Sequence, residues 1–127
     1  MSEAKMFRGF GFDLTPGEGG GNVIATVNGA VSQTLGGGIG VFENCSIPWT
    51  VTYDEMLFGI DGKMRIVVGD DVHEMGPGDI MWLPEATELI YEADEKATFF
   101  FAVAPAANSP SGSKTDEHPT VTPRKKA

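Results

Sequence analysis

Residues 49–84 read WTVTYDEMLFGIDGKMRIVVGDDVHEMGPGDIMWLP, and the alternation within this stretch decides the fold. Trp49, Val51, Tyr53, Glu55 and Leu57 share one parity; Thr50, Thr52, Asp54 and Met56 share the other. Strand side chains alternate between faces with period two, so the bulky, mostly apolar set is assigned to an interior. That assignment places the Glu55 carboxyl and the Tyr53 hydroxyl in a largely hydrophobic cavity. A bulge near Asp54-Glu55 would exchange the two faces. Glycine-containing signals punctuate the stretch. Asp61-Gly62 lies between EMLFGI and KMRIVV, and Gly69-Asp70-Asp71 lies between RIVV and VHEM. Both read as hairpin turns.

Outward from this stretch the same grammar continues. Asn28-Gly29 between VIATV and AVSQTL predicts another two-residue hairpin. Further strands are expected at 38–42, 49–53, 79–83, 88–92 and 98–103. Seventeen glycines, abundant Val, Ile, Phe and Thr and no convincing amphipathic helix predict an all-β antiparallel sandwich or barrel. The glycine clusters at 17–21 and 36–38 do not read as phosphate cradles. Neither supplies a P-loop lysine, and no helix follows to lend its N-terminus.

A chain of 127 residues fits one domain with its own core. No apolar run approaches the roughly 20 residues that span a bilayer, so no membrane association is expected. The N-terminus MSEAKMFRGFGFDL lacks a secretory layout, and a cytoplasmic location is the expectation. The single cysteine, Cys45, requires no oxidising compartment and reads as a packing residue. A net charge of −9 argues against a nucleic-acid partner, since phosphate binding needs a basic surface. The cluster Arg124-Lys125-Lys126 is too short to supply one. From about Ala106 the chain reads AANSPSGSKTDEHPTVTPRKKA, with almost nothing to bury. Residues 106–127 are therefore expected to form a disordered Pro/Ser/charged tail containing His118, and residues 5–105 the folded domain.

With these residues set out, the chain resembles a cupin, and within that superfamily the ethanolamine-utilisation EutQ type. The first cupin motif has two histidines separated by one residue, a glutamate three or four positions on, and a glycine after six more. Glu55 and Gly62 match its end, while the histidine positions hold Trp49 and Val51, or Pro48 and Thr50 with the longer spacing. The second motif matches at Pro77-Gly78-Asp79 and Pro84, but Leu89 stands where its histidine is expected. The strings CSIPWTVTYDEMLFGIDG and GPGDIMWLPEATELIYE carry the EutQ likeness, which covers about residues 39–104. The resemblance implies a single-domain cupin, a double-stranded β-helix or jelly-roll barrel, without the usual transition-metal site. No metal or other cofactor is expected, because one carboxylate and water bind such ions weakly. Two rescues stay open: His73, which reads as an exposed strand residue, and an oxygen site for a hard cation from Asp54, Glu55 and Glu88.

The resemblance also implies an accessory role in ethanolamine or small-amine breakdown. Acetate kinase activity has been attributed to EutQ; this chain reads as the cupin portion alone, and that activity is not carried over. Three functions remain open. In the first, Trp49, Val51, Trp82, Leu89 and Tyr91 line a pocket for a small molecule such as an amine, held by aromatic faces and a carboxylate. In the second, Glu55 and Tyr53 act as acid/base groups of a lyase or isomerase, burial raising the Glu55 pKa unless Arg65, Lys63 or a ligand ammonium approaches. In the third, the chain is a non-enzymatic scaffold and Glu55 only locks a barrel corner. A homodimer is expected through an edge strand, to which FRGFGFDL is suited. The aromatics, including Phe58 and 99–101, are expected mostly in the core.

Overall fold

A computed structural model describes residues 4–9, 12–106 and 124–125. Ten strands run in the order β1 (Gly21–Val27), β2 (Gly36–Phe42), β3 (Cys45–Thr50), β4 (Asp54–Asp61), β5 (Met64–Val68), β6 (Asp71–Met75), β7 (Ile80–Leu83), β8 (Glu88–Ala93), β9 (Ala97–Ala104) and β10 (Arg124–Lys125). They build two five-stranded sheets: sheet I in the order β1-β2-β9-β4-β7, and sheet II in the order β10-β3-β8-β5-β6. The pairings are antiparallel. The core lies between the sheets, as the period-two patterning requires. Val51, Tyr53, Glu55 and Leu57 are all buried, so the expected parity holds. The irregularity in β4 falls between Gly59 and Asp61, beyond the stretch whose faces it could have exchanged.

Two of the expected two-residue turns do not form; β1 and β2 do pair antiparallel around Asn28-Gly29, but across the longer connection 28–35. Asp61-Gly62 joins β4 in sheet I to β5 in sheet II, and so carries the chain across the sandwich. Gly62 adopts φ +75°, and a Cβ there would run into the Lys96 carbonyl. Position 62 thus needs glycine for a crossing and not for a hairpin. At Asn28-Gly29 local hydrogen bonds win over strand pairing. The Asn28 side-chain oxygen accepts the Ala30 N–H at 2.9 Å, and its carbonyl accepts the N–H groups of Val31 and Ser32. The Ser32 hydroxyl then accepts from Thr34 and Leu35, so AVSQTL becomes loop. The third expectation holds: β5 and β6 form a hairpin in which Val68 pairs with Asp71 across Gly69 and Asp70, with Gly69 at φ +62°.

The glycines of β2 are buried strand residues. Gly40 pairs with Phe99, whose ring lies over it where a Cβ would overlap. Phe99 in turn stacks against Phe42 at 5.1 Å between centroids, and Phe42 against Tyr91 at 5.3 Å. Phe58, Phe100 and Trp82, expected mostly in the core, instead face outward from sheet I with exposures of 42, 44 and 55%. Cys45 is buried in the core, as its packing role requires. Asn22 donates to the carbonyls of Asp13 and Thr15, tying the segment before β1 to that edge strand. Of the expected tail, residues 107–123, His118 among them, and 126–127 lie outside the described residues. Ala106 is buried, and Arg124–Lys125 pair with Ser46 and Cys45 of β3. Among the described residues no helix is long and apolar enough to cross a membrane.

Candidate functional site

β4 and β8 face each other across the sandwich, and this brings together two residues 36 positions apart. The Tyr91 hydroxyl donates to Glu55 Oε1 at 3.1 Å, bridging sheet II to sheet I. Glu55 is 1% exposed. With water excluded, the charged carboxylate is disfavoured, and burial pushes the Glu55 pKa up to about 8, the Tyr91 hydrogen bond opposing the rise. Of the two cations that could have held it down, Lys63 is exposed at the surface and Arg65 is engaged elsewhere. Arg65 Nε lies 3.1 Å from Glu92, and its terminal nitrogens grip Asp94 at 3.0 and 3.1 Å. At neutral pH Glu55 therefore carries its proton, accepting from Tyr91 on one oxygen and keeping the other able to donate.

Tyr53 stands at 0% exposure in the segment that leads from β3 in sheet II to β4 in sheet I. Backbone bonds fix this crossing to the turn after Pro84: the Val51 N–H donates to the Thr87 carbonyl at 3.1 Å and the Ala86 N–H to the Val51 carbonyl at 2.8 Å. Burial raises the Tyr53 pKa, the Glu55 charge raises it further, and a hydrogen bond with Trp49 opposes both. Burial, then the charge on Glu55, likewise holds Tyr91 well above the ordinary phenol value. Glu55, Tyr53 and Tyr91 thus form one buried, electrostatically coupled group.

Access lies on the other side of Trp49. A cavity of about 380 Å³ opens at the ends of β3, β5 and β8, with Pro48, Trp49, Val67, Leu89 and Ile90 as its apolar walls and Glu88 among its lining residues. Trp49 pairs with Leu89 and Thr50 with Glu88 across the β3–β8 ladder, which is why four residues distant in sequence share one cleft. Glu88 is exposed, and its carboxylate is the cleft's charged group. The expected site residues therefore divide. Trp49 and Leu89 line the open cleft; Val51, Tyr53, Glu55 and Tyr91 are sealed behind it at 2% exposure or less. Trp82 belongs to neither group. It pairs with Met56 on the outer face of sheet I, because Met81 and Leu83 take the inward positions of β7.

The positions at which the resemblance leads one to look for metal ligands hold Leu89 and either Trp49 and Val51 or Pro48 and Thr50, and of these side chains the neutral Thr50 hydroxyl alone offers an oxygen, a weak ligand for a divalent ion. Asp54, Glu55 and Glu88 do not converge. Asp54 faces outward and accepts the Glu85 N–H at 2.9 Å, while Glu55 faces inward. His73 is exposed on β6 opposite Ile66. Among the described residues no group of three or more His, Cys, Asp or Glu side chains is placed to hold a metal ion. Sequence reasoning did not identify Pro48, Val67 and Ile90 as lining, nor Tyr91 as the specific partner of Glu55. The β3–β8 register would have found them, but register is set by pairing between distant segments and not by either string alone.

Comparison with known proteins adds to this geometry. The sequence profile of the family described as "Ethanolamine utilisation protein EutQ" matches residues 14–110. "Acetate kinase EutQ" of Clostridioides difficile strain 630 is 25% identical over 75 residues, 59% of this chain and 48% of that protein. "Acetate kinase EutQ" of Escherichia coli K12 is 24% identical over 80 residues, 63% of this chain and 34% of that protein. The chain's match thus spans about half or less of these relatives. The crystal structure of a putative ethanolamine utilization protein Q from Salmonella typhimurium LT2 superposes with a TM-score of 0.74 at 19% identity, covering 81% of this chain and 87% of that one.

Proposed function

This chain belongs to the ethanolamine utilisation protein EutQ family and has the cupin fold, and from that premise we propose that it binds a small amine in the cleft beside Trp49, as an accessory protein of ethanolamine or small-amine metabolism. The observation that carries the reading is the cleft's composition: an aromatic and aliphatic wall with one carboxylate, Glu88, among its lining residues. An ammonium group gains from an indole face and from a nearby carboxylate, and a short carbon chain from the aliphatic wall. Each polar contribution is worth about 1 kcal/mol at a solvent-exposed site, so the affinity is modest. Glu55 supports the cleft from behind. Neutral and tied to Tyr91, it keeps the core free of an unpaired charge.

The test is a titration with ethanolamine followed by NMR and calorimetry. The Trp49 indole resonance should shift while that of Trp82, on the opposite sheet, stays in place. Glu88→Gln should weaken binding several-fold, and ethylene glycol, which lacks the amine, should not compete. Equal binding of the glycol, or movement of the Trp82 resonance alone, would defeat the proposal.

A second reading draws on the Glu55 pKa of about 8, close to the range in which a carboxyl can exchange protons during turnover. Here the Glu55 carboxylate, formed by loss of its proton, takes a proton from a substrate carbon and returns one to it, Tyr53 donating a hydrogen bond to the substrate oxygen, with the substrate admitted from the Trp49 cleft. Deuterium uptake from D2O into a carbonyl substrate, seen with the unmodified chain and lost in Glu55→Gln, would favour it. Phosphoryl transfer, the activity in the names of the curated relatives, is not part of either reading. It needs groups that orient Mg²⁺ and nucleotide phosphates, and the carboxylate of Glu88 in this cleft repels phosphate.

A further inference from the structure

The cations of this acidic chain are unevenly distributed. Of its nine Lys and Arg side chains, three lie between residues 12 and 106: Lys63, Arg65 and Lys96. All three line one cleft of about 420 Å³, which shares no lining residue with the cleft beside Trp49. Two turns meet to form it. The Gly62 crossing packs against the Lys96 carbonyl so closely that a Cβ at 62 would overlap it, and this holds Lys63 and Lys96 at one mouth. Arg65 is held between them: its Nε donates to Glu92 and its terminal nitrogens to Asp94, so three of its five N–H donors are used. Glu74 pairs with Arg65 across the β5–β6 ladder and so stands on the same face. Glu95 lies between Asp94 and Lys96 in the β8–β9 turn.

We propose that this cleft is a separate binding site for a small zwitterion with one carboxylate and one ammonium group, the charge pattern of an amino acid. Arg65 and Asp94 neutralise each other through their two-bond contact. Two lysines and two carboxylates are left, and each wall carries one of each sign. A Cβ at Gly76, just past β6, would lie 3.7 Å from Lys63 Cγ, so Lys63 and Glu74 form the β6 wall. Glu95 and Lys96 form the wall at the end of β8. These two strands flank β5 and so stand two strand spacings apart, about 10 Å. A short molecule charged oppositely at its ends can set its carboxylate on a lysine of one wall and on the remaining N–H groups of Arg65. Its ammonium then meets a carboxylate of the other wall. Charge balance selects a zwitterion over a simple ion. A free anion meets Glu74, Glu95 and the field of a chain of net charge −9, and a free cation meets Lys63, Arg65 and Lys96. A molecule with no net charge avoids both penalties and gains at both ends. The site does not depend on the amine reading of the Trp49 cleft.

The test is a titration of the unmodified chain with β-alanine at low salt, followed by NMR of the backbone amides. The amides of Lys63, Arg65, Glu95 and Lys96 should shift saturably with a millimolar dissociation constant, while the Trp49 indole resonance stays in place. Acetate and methylammonium, each carrying one of the two charges, should bind at least about fivefold more weakly. Raising salt from about 0.01 to about 0.15 M should weaken the binding of β-alanine. Lys63→Gln with Lys96→Gln, and separately Glu74→Gln with Glu95→Gln, replace exposed side chains outside the core. Each double variant should raise the dissociation constant for β-alanine by about fivefold. Absence of saturable shifts, shifts confined to the Trp49 cleft, equal binding of acetate or methylammonium, indifference to salt, or full affinity in either double variant would each overturn the proposal.

Discussion

Glu55 concentrates the chemistry of this molecule in one side chain, and its consequences are measurable. Its folded-state pKa of about 8 stands against an ordinary value of 4.5. The folded form holds the proton more tightly than the unfolded form, so this contribution to stability is complete below about pH 4.5. It is lost between that point and about pH 8, and level above. Within the window the slope is about −1.4 kcal/mol per pH unit. Glu55→Gln should flatten this decline, leaving the variant nearer the unmodified chain at pH 4.5 and relatively more stable at pH 8, as read by urea midpoints across the range. An unchanged slope would show that the carboxyl is not what titrates. Tyr91→Phe removes the bond that holds the Glu55 pKa down, so the decline should extend to higher pH. Its cost should be about 1–3 kcal/mol, because the carboxyl loses a partner inside the core. The parity of the string from Trp49 to Leu57 sufficed to bury Glu55. The identity of its partner did not follow from parity, since Tyr91 arrives from a strand 36 residues away.

Among the elements, the turn after Pro84 holds the entrance to the cleft in shape. Ala86 sits at φ +78°, where a Cβ is strained, and its N–H still reaches the Val51 carbonyl. Ala86→Gly should relieve that strain and raise stability by up to about 1 kcal/mol without moving β8, measured as a higher denaturant midpoint at constant slope. A loss of stability would mean that the entropy of the extra glycine outweighs the relief. Gly40 behaves in the opposite sense. Its empty position is filled by the Phe99 ring, so Gly40→Val should cost several kcal/mol by forcing that ring out of the core cluster. A variant with an unchanged thermal midpoint would show that the ring can shift freely. Turn chemistry was legible where the connection is local, as at Gly69-Asp70. It misled at Asp61-Gly62, where the dipeptide serves a crossing between sheets, and in the length of the turn at Asn28-Gly29, where β1 and β2 pair across a side-chain-capped loop and not a two-residue turn.

For the whole molecule, the balance between self-repulsion and apolar burial governs behaviour. Raising salt from about 0.01 to about 0.15 M shortens the screening length from about 30 to about 8 Å. With a net charge of −9, the thermal midpoint should rise over that range. A fall would mean that ion pairs such as Arg65 with Glu92 and Asp94 outweigh the general repulsion. The amino-acid sequence by itself determined the all-β class and the inward set from Trp49 to Leu57. Alternation and residue chemistry are local properties, and each can be read along the string. Only the tertiary structure decided that Glu55 meets Tyr91, that Trp49 and Leu89 wall an open cleft while Tyr53 is sealed, and that Trp82 faces outward. Those outcomes depend on which strands pair and in what register, and that is fixed by the simultaneous packing of segments that the sequence keeps apart.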